Sequence, residues 1–152
     1  CKNIGGLKSQ GNTLSCTCGA RMTYTEYGRL EGDGPFSTEE EWDRWQEAEL
    51  RKMAAEAGET PIFQDASVTL TQLDNKNQVI YQHTGPASFS ATTLYVGGRA
   101  LPAADISDMS IYGRNTIVCT CGDDYYEVKG DKTFCGRKYD QLYRILREDP
   151  QP

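Results

Sequence analysis

The tetrapeptide Cys-Thr-Cys-Gly occurs twice in this chain, at positions 16–19 and 119–122, and the chain has six cysteines in 152 residues. Two thiols separated by one residue can bind a metal ion, anchor disulfides, or pack together as small apolar side chains of a strand. The residues around each copy indicate which of these roles applies.

The first copy has the surroundings of a structural zinc site. Cys16 and Cys18 follow Cys1 across a hairpin-sized gap of 14 residues, and Gly19 leaves room for backbone amides to turn toward sulfur. Structural zinc bound by thiolates alone takes four cysteines in a tetrahedron. We therefore predict that Cys1, Cys16 and Cys18 are zinc ligands of a truncated ribbon. Its missing cysteine would lie just upstream of Cys1, so the zinc can be lost from the chain as given.

The second copy has the surroundings of a core strand. Cys119 and Cys121 end a β-branched run at 116–118, and no other cysteine is close to them in sequence. In a strand, residues i and i+2 point to the same face, so both thiols are expected in the core. Cys135 is expected to be a further core contact on the last helix.

Three other interpretations of the cysteines stay open. Cys16, Cys18, Cys119 and Cys121 could form one four-thiolate site that ties the two ends of the chain together. Disulfides would need an oxidising compartment, which nothing in the sequence signals. The chain could also bind no metal in this truncated form.

The first 59 residues predict a hairpin and a helix. Residues 1–28 are Gly-rich and predict two short strands joined by a turn at 9–12, and the chain is broken at 31–35. Residues 36–59 predict one amphipathic helix that begins at a capping box of Ser37 and Glu40 and ends at Gly58. Trp42 and Trp45 lie three positions apart, so an aromatic stripe is expected on its apolar face.

Residues 60–152 predict antiparallel strands followed by a helix. Six segments alternate with period two between Asn, Gly and Pro turns: 67–73, 78–84, 87–97, 105–113, 115–122 and 125–130. A helix is predicted at 134–147, with Cys135, Tyr139, Leu142 and Leu146 on one face. The expected fold class is α+β, mainly β: an antiparallel sandwich or partly open barrel with a C-terminal helix.

Charge and hydropathy exclude several classes of partner. The net charge is −6, and positions 37–59 hold eight acidic residues against three basic ones. Phosphate-backbone binding relies on clustered Lys and Arg, so we expect no nucleic-acid partner. No apolar run approaches the ~20 residues of a membrane helix. The N-terminal segment has no apolar core and no cleavage site, so we do not expect it to be a signal peptide. It also has no starting Met, so we expect a fragment of a longer protein.

Catalytic motifs are missing from the sequence. The single histidine, His83, lies on a predicted strand, and the chain has no nucleophile elbow, P-loop or dinucleotide-binding glycine pattern. We expect no catalytic and no cofactor-binding residue. An enzyme that pairs His83 with a cysteine is the least favoured hypothesis.

Most of the chain resembles the region that follows the catalytic domain in bacterial phospholipid/glycerol acyltransferases, the 1-acyl-sn-glycerol-3-phosphate acyltransferase family. Those proteins carry a Cys-Pro-x-Cys pair, a Cys-x-Cys-Gly knuckle, a Tyr-Gly stretch and a Trp-bearing helix. Cys1 matches the second cysteine of the pair, and Cys16 and Cys18 match the knuckle. The sequences YTEYGRLEG and EWDRWQ match the remainder, and residues 105–146 are similar to the last strands and helix of a PH-like domain.

The resemblance implies a parent enzyme that acylates lysophosphatidic acid to phosphatidic acid. Its activity depends on a His-x4-Asp motif, in which His is the general base and Asp orients it. Five residues after His83 stands Ser88, so no catalytic residue is carried over to this chain. The catalytic domain would lie upstream of Cys1.

The leading hypothesis is a non-catalytic accessory region, regulatory or docking, of such an enzyme in phospholipid biosynthesis. Its parts would be a partial zinc ribbon (1–35), a Trp-bearing helix (36–59) and a PH-like domain (60–152). The expected partners are the parent's own catalytic domain and, through the parent, the membrane surface, with a cytoplasmic location. The alternative is a stand-alone zinc-ribbon/PH-like adaptor that binds a protein or peptide.

Overall fold

The computed structural model describes residues 6–148, which fold as two compact units. The first unit is Cys1–Glu49 and the second is Leu50–Pro152, so the boundary falls inside the first helix. Each unit has its own set of buried apolar side chains.

Four short strands form the sheet of the first unit: β1 (Leu7–Gln10), β2 (Thr13–Cys16), β3 (Arg21–Tyr24) and β4 (Leu30–Asp33). They pair in chain order, and every pairing is antiparallel. The predicted hairpin at 9–12 is confirmed, with Gly11 at a φ of 56° in the turn. β3 and β4 extend this hairpin beyond the sequence prediction.

A small aromatic core supports that sheet. Met22, Leu30 and Trp42 are buried, and Leu14, Phe36 and Trp45 pack against them. The Phe36 ring stacks on Trp42 with 6.0 Å between centroids, and it lies 5.4 Å from the Trp45 ring. The predicted aromatic stripe therefore covers the core of the first unit.

The first helix is α1 (Glu39–Ala57). Its N-terminal capping residue is Thr38, one position after the predicted Ser37. The Thr38 hydroxyl accepts a hydrogen bond from the Glu41 N–H at 3.2 Å, and the Glu41 carboxylate accepts one from the Ser37 N–H at 2.9 Å. The predicted pair of Ser37 and Glu40 is wrong, because Glu40 instead forms an ion pair with Arg44. Gly58 ends the helix as expected, at a φ of 54°.

The second unit contains seven strands and one helix. The strands are β5 (Phe63–Leu73), β6 (Val79–Phe89), β7 (Thr93–Val96), β8 (Arg99–Pro102), β9 (Ile106–Ile111), β10 (Thr116–Cys121) and β11 (Asp124–Gly130), and the helix is α2 (Gly136–Glu148). They form one antiparallel sheet in the order β8-β7-β6-β5-β11-β10-β9. The sheet curls into a half-barrel with the C-terminal helix after its last strand, which confirms the PH-like α+β fold class.

Two local predictions in this unit are wrong. The segment 87–97 is not one strand, because β6 ends at Phe89 and β7 begins at Thr93. Between them the Ser90 hydroxyl accepts hydrogen bonds from the N–H groups of Thr92 and Thr93, which turns the chain without Gly or Pro. The edge strand β8 was also not predicted.

Tyr139 of α2 joins the helix to the sheet. Its buried ring lies 5.9 Å from the Phe63 ring and 6.0 Å from the Phe89 ring. Its hydroxyl donates a hydrogen bond to Asp65 of β5, and Lys138 lies 2.8 Å from the same carboxylate. Burial raises the pKa of Tyr139, and the bond to Asp65 raises it further.

Arg99 connects the edge strand β8 to the middle of the sheet. Its guanidinium donates to the Gln72 side-chain oxygen on β5 at 2.8 Å and to the Tyr126 hydroxyl on β11 at 3.4 Å. The same group lies 4.0 Å from the centre of the Tyr81 ring on β6. These contacts span four strands and stabilise the curl of the half-barrel.

Candidate functional site

The first Cys-Thr-Cys-Gly copy forms a tight turn between β2 and β3. Cys16 is the last residue of β2, its N–H donates to the Ala20 carbonyl at 2.9 Å, and the Gly19 N–H donates to the Cys16 carbonyl at 2.9 Å. Gly19 has a φ of 96°, a conformation that side chains rarely adopt. Cys16 is buried and Cys18 is exposed. The two backbone hydrogen bonds close the turn, and the two thiols differ in exposure.

The start of β1 lies beside that turn. Leu7 of β1 pairs with Cys16, and the Thr17 N–H donates to the Gly6 carbonyl at 3.2 Å. The antiparallel register therefore places the start of β1 next to the knuckle. Cys1, the third predicted zinc ligand, lies outside the described residues, five positions before Gly6.

Two of the three predicted zinc ligands, Cys16 and Cys18, lie within the described residues. Cys16 and Cys18 have the soft donors that structural zinc prefers, and the backbone turns between them. Within residues 6–148, no three His, Cys, Asp or Glu side chains come together as a metal-binding group. Zinc at this position would therefore need ligands from outside that range, as the ribbon hypothesis requires.

The second copy lies in a strand, not in a turn. Cys119 and Cys121 belong to β10, where Cys119 pairs with Met109 and Tyr126, and only Gly122 enters the following turn. Cys119 is 1% exposed, and Cys121 packs partly buried against the same core. Burial raises the pKa of the Cys119 thiol to about 12. The prediction that these two side chains contribute to the core is confirmed.

Cys135 does not have the position that the sequence predicts. It precedes α2, which begins at Gly136, and its side chain is exposed. The buried face of the helix is formed instead by Tyr139, Leu142, Tyr143 and Ile145. The pattern was wrong at this end because the helix starts two residues later than predicted. No disulfide links any two of the five cysteines within residues 6–148.

His83 occupies an exposed strand position. It lies on β6 as predicted, and its side chain is exposed. Its imidazole Nε2 lies 3.5 Å from the position that a Cβ on Gly85 would take, and among residues 6–148 it has no hydrogen-bond or ion-pair partner. A general-base histidine is oriented by a hydrogen bond to a second group, and His83 makes no such bond to residues 6–148.

A groove that the sequence did not reveal lies in the second unit. It has a volume of about 430 Å³, and we call it the tyrosine groove. Its lining residues come from β5, the β5–β6 turn, the β9–β10 turn, β10 and β11: Leu73, Asp74, Asn75, Asn77, Tyr112, Val118, Tyr125 and Glu127. The lining residues come from three separate parts of the sequence, so the sequence could not predict the groove. The only signal it offered is the pair of aromatic residues, Tyr112 and Tyr125.

Comparison with known proteins adds no assignment: no protein family matches the chain, and no curated protein matches it at a significant level. Neither helix within residues 6–148 is long and apolar enough to cross a membrane.

Proposed function

We propose that this chain is a non-catalytic accessory region of a bacterial phospholipid/glycerol acyltransferase. The parent enzyme would transfer an acyl group to lysophosphatidic acid, and the region described here would regulate or dock against its catalytic domain. The resemblance of the knuckle, the Tyr-Gly stretch and the EWDRWQ helix to that family supports the parentage. The PH-like second unit agrees with the arrangement that the resemblance implies.

The observation that carries the non-catalytic part is the state of His83. This side chain is exposed on β6 and has no orienting carboxylate among residues 6–148. Ser88 stands where the family's motif requires Asp, and it cannot fix an imidazole through a negative charge. The acyl-transfer chemistry would therefore belong to another part of the parent enzyme.

Zinc would have a structural role in this proposal. Cys16 and Cys18 would hold one side of the ion, and Cys1 with an upstream cysteine would hold the other side. A closed four-thiolate site leaves no position for substrate, so the metal would stabilise the first unit without taking part in the reaction.

A second candidate function is that of an adaptor without an enzymatic parent. The tyrosine groove favours it, because exposed aromatic side chains around a concave surface are typical of protein-binding sites.

The parent reading frame distinguishes the two functions. Under our proposal it encodes a His-x4-Asp motif upstream of this chain, and the full-length enzyme acylates lysophosphatidic acid in vitro. The His83→Ala variant of the full-length enzyme is expected to keep this activity, whereas this chain alone has none. A parent frame without the motif, or an enzyme inactivated by His83→Ala, would contradict the proposal.

A further inference from the structure

The tyrosine groove lies on the face of the sheet that points away from the core. Tyr126 and Val128 of β11 are buried, so the alternate residues Tyr125 and Glu127 point to the opposite face. Tyr125 pairs in register with Leu73 of β5, and Glu127 pairs with Val118 of β10. Four of the lining side chains thus form two cross-strand pairs on this face.

The groove presents aromatic surface around a half-buried apolar floor. Tyr112 is 70% exposed and Tyr125 is 40% exposed, while Leu73 and Val118 are half-buried between them. The electron-rich faces of phenol rings attract cations, and Arg is the side chain most often found over them. Neither tyrosine hydroxyl has a hydrogen-bond partner among residues 6–148.

The charge of the groove is negative. Asp74 and Glu127 are acidic, and none of the eight lining residues is basic. Neither carboxylate forms an ion pair within residues 6–148. One Asp74 oxygen accepts hydrogen bonds from the N–H groups of Lys76 and Gln78, both at 2.8 Å. These bonds fix the orientation of the carboxylate at the end of the groove before any ligand binds.

The ionisation of Tyr125 is consistent with this electrostatic environment. Burial raises the pKa of Tyr125, and the negative charge of Glu127 raises it further. Asp108 of β9 acts in the same direction. The negative charges of Glu127 and Asp108 near Tyr125 favour a cation over an anion in the groove.

We propose that the tyrosine groove binds an arginine side chain in a basic, extended segment of a protein partner. A guanidinium can stack on a phenol ring while its N–H groups donate to a carboxylate, a combination that a Lys ammonium reproduces less well. The side-chain amides of Asn75 and Asn77, which line the groove, can hydrogen-bond to a peptide backbone. The complementarity is thus with a cationic peptide. This inference does not depend on the acyltransferase parentage.

The test is a titration of the isotopically labelled chain with a synthetic peptide, Gly-Ala-Arg-Ala-Arg-Ala-Gly, followed by backbone amide NMR signals. We expect saturable shifts at the tyrosine groove, including the signals of Tyr112, Tyr125 and Glu127. The matched control peptide carries citrulline in place of both arginines, which keeps the shape and removes the charge. It is expected to bind at least about fivefold more weakly, because both the ion pairing and the cation–π contacts need the charge.

Three variants assign the binding to the groove. Glu127→Gln and Tyr125→Leu are each expected to weaken binding of the arginine peptide about threefold to fivefold. Glu56→Gln removes an exposed carboxylate from α1 and should leave the affinity unchanged. Unshifted signals far from each substitution verify that a variant is folded. If Glu127→Gln disturbs the fold, Tyr112→Leu replaces it, with the exposed Tyr95→Leu on β7 as its control.

Several outcomes would overturn the proposal. One is equal binding of the arginine and citrulline peptides. Another is a set of shifts confined to the acidic helix α1, which would indicate nonspecific attraction to negative charge. A third is the absence of any shift at peptide concentrations up to about 5 mM, where even a weak complex is populated.

Discussion

The two Cys-Thr-Cys-Gly copies have the same four residues and different structures. In the first copy, the strand ends at Cys16, and Cys18 lies exposed in a turn. In the second copy, β10 continues through Cys121, and Cys119 is among the most buried side chains of the chain. Each copy thus buries its first thiol, whereas the second thiol is exposed in the turn of the first copy and half-buried in the strand of the second.

The difference shows that neighbouring residues decide what a short cysteine motif does. The β-branched residues at 116–118 favour an extended strand, and the pairing with β9 and β11 holds the second copy in the sheet. The first copy has no β-branched run before it, its strand β2 ends at Cys16, and its own last residue, Gly19, has a φ of 96°. Of the two copies, only the first holds an exposed thiol, that of Cys18.

The largest expected effect comes from Cys16→Ser in a chain extended upstream to include the missing ligand. Loss of a zinc ligand should disorder the β1–β4 sheet, because metal binding energy in a structural site contributes directly to folding. The measurement is tryptophan fluorescence, since Trp42 and Trp45 both pack in the core of the first unit. Emission should shift to the red, whereas Ser15→Ala should leave it unchanged. A Cys16→Ser variant with unshifted emission would contradict the metal role of the first copy.

Cys119→Ser should have a smaller effect, confined to the second unit. The side chain is 1% exposed, and a buried hydroxyl without a designed partner costs about 1–3 kcal/mol. Urea unfolding monitored by circular dichroism should show this loss, with less loss for Cys121→Ser because Cys121 is only half-buried. Bound zinc should stay constant. A greater effect at Cys121 than at Cys119 would show that packing does not determine the role of the second copy.

Alkaline pH should lower the stability of the second unit, because the thiol of Cys119 is buried there. The pKa of Cys119 is raised from 9.0 to about 12, so the folded state holds its proton more tightly than the unfolded state. This stabilisation is complete below pH 9 and is lost as the pH rises toward 12. At pH 10 the loss is about 1.4 kcal/mol relative to pH 8.

The matched comparison for that experiment is Cys119→Ala, which has no thiol to ionise. The raised pKa of Tyr139 destabilises both chains at high pH, so it cancels in the difference between them. The free energy of unfolding should decrease between pH 8 and pH 10, and this decrease should be larger in the unsubstituted chain than in Cys119→Ala. Equal decreases would mean that Cys119 is not protected by burial.

The smallest expected effect concerns the glycine that ends each copy. Gly122 has a φ of 60°, within the left-handed region that Asn tolerates, whereas Gly19 has a φ of 96° outside it. Gly122→Asn should therefore cost less than about 1 kcal/mol, and Gly19→Asn should cost more. Thermal unfolding of the two variants would measure this difference. If Gly19→Asn were the better tolerated, the two turns would not differ as described.

The sequence predicted most of the second unit because its strands carry β-branched and aromatic residues with period two. It missed the break after Phe89, where Ser90 replaces the usual glycine or proline as the turn former. It also missed β8, because Gly97, Gly98 and Pro102 favour a loop. Pro102 is compatible with that strand only because β8 lies at the edge of the sheet.

The candidate sites were predictable to different extents. The knuckle of Cys16 and Cys18 is a local feature, so the spacing of the cysteines and Gly19 was sufficient to predict a turn there. The tyrosine groove is not local, since strand pairing brings together residues as distant as Leu73 and Tyr125. Charge and aromatic content can be read from a sequence, but the common face that combines them depends on the register of β5, β10 and β11.

The central claim, that the first copy binds zinc and the second packs in the core, is tested most directly by metal content. Zinc would be determined by elemental analysis in this chain and in a chain extended by about ten native upstream residues. The Cys16→Ser and Cys119→Ser variants of the extended chain would be measured in the same way. We predict about one zinc per molecule only in the extended chain. That zinc should be lost in Cys16→Ser and kept in Cys119→Ser. Stoichiometric zinc in the short chain, or equal loss in both variants, would contradict the account and favour a site shared by the two copies.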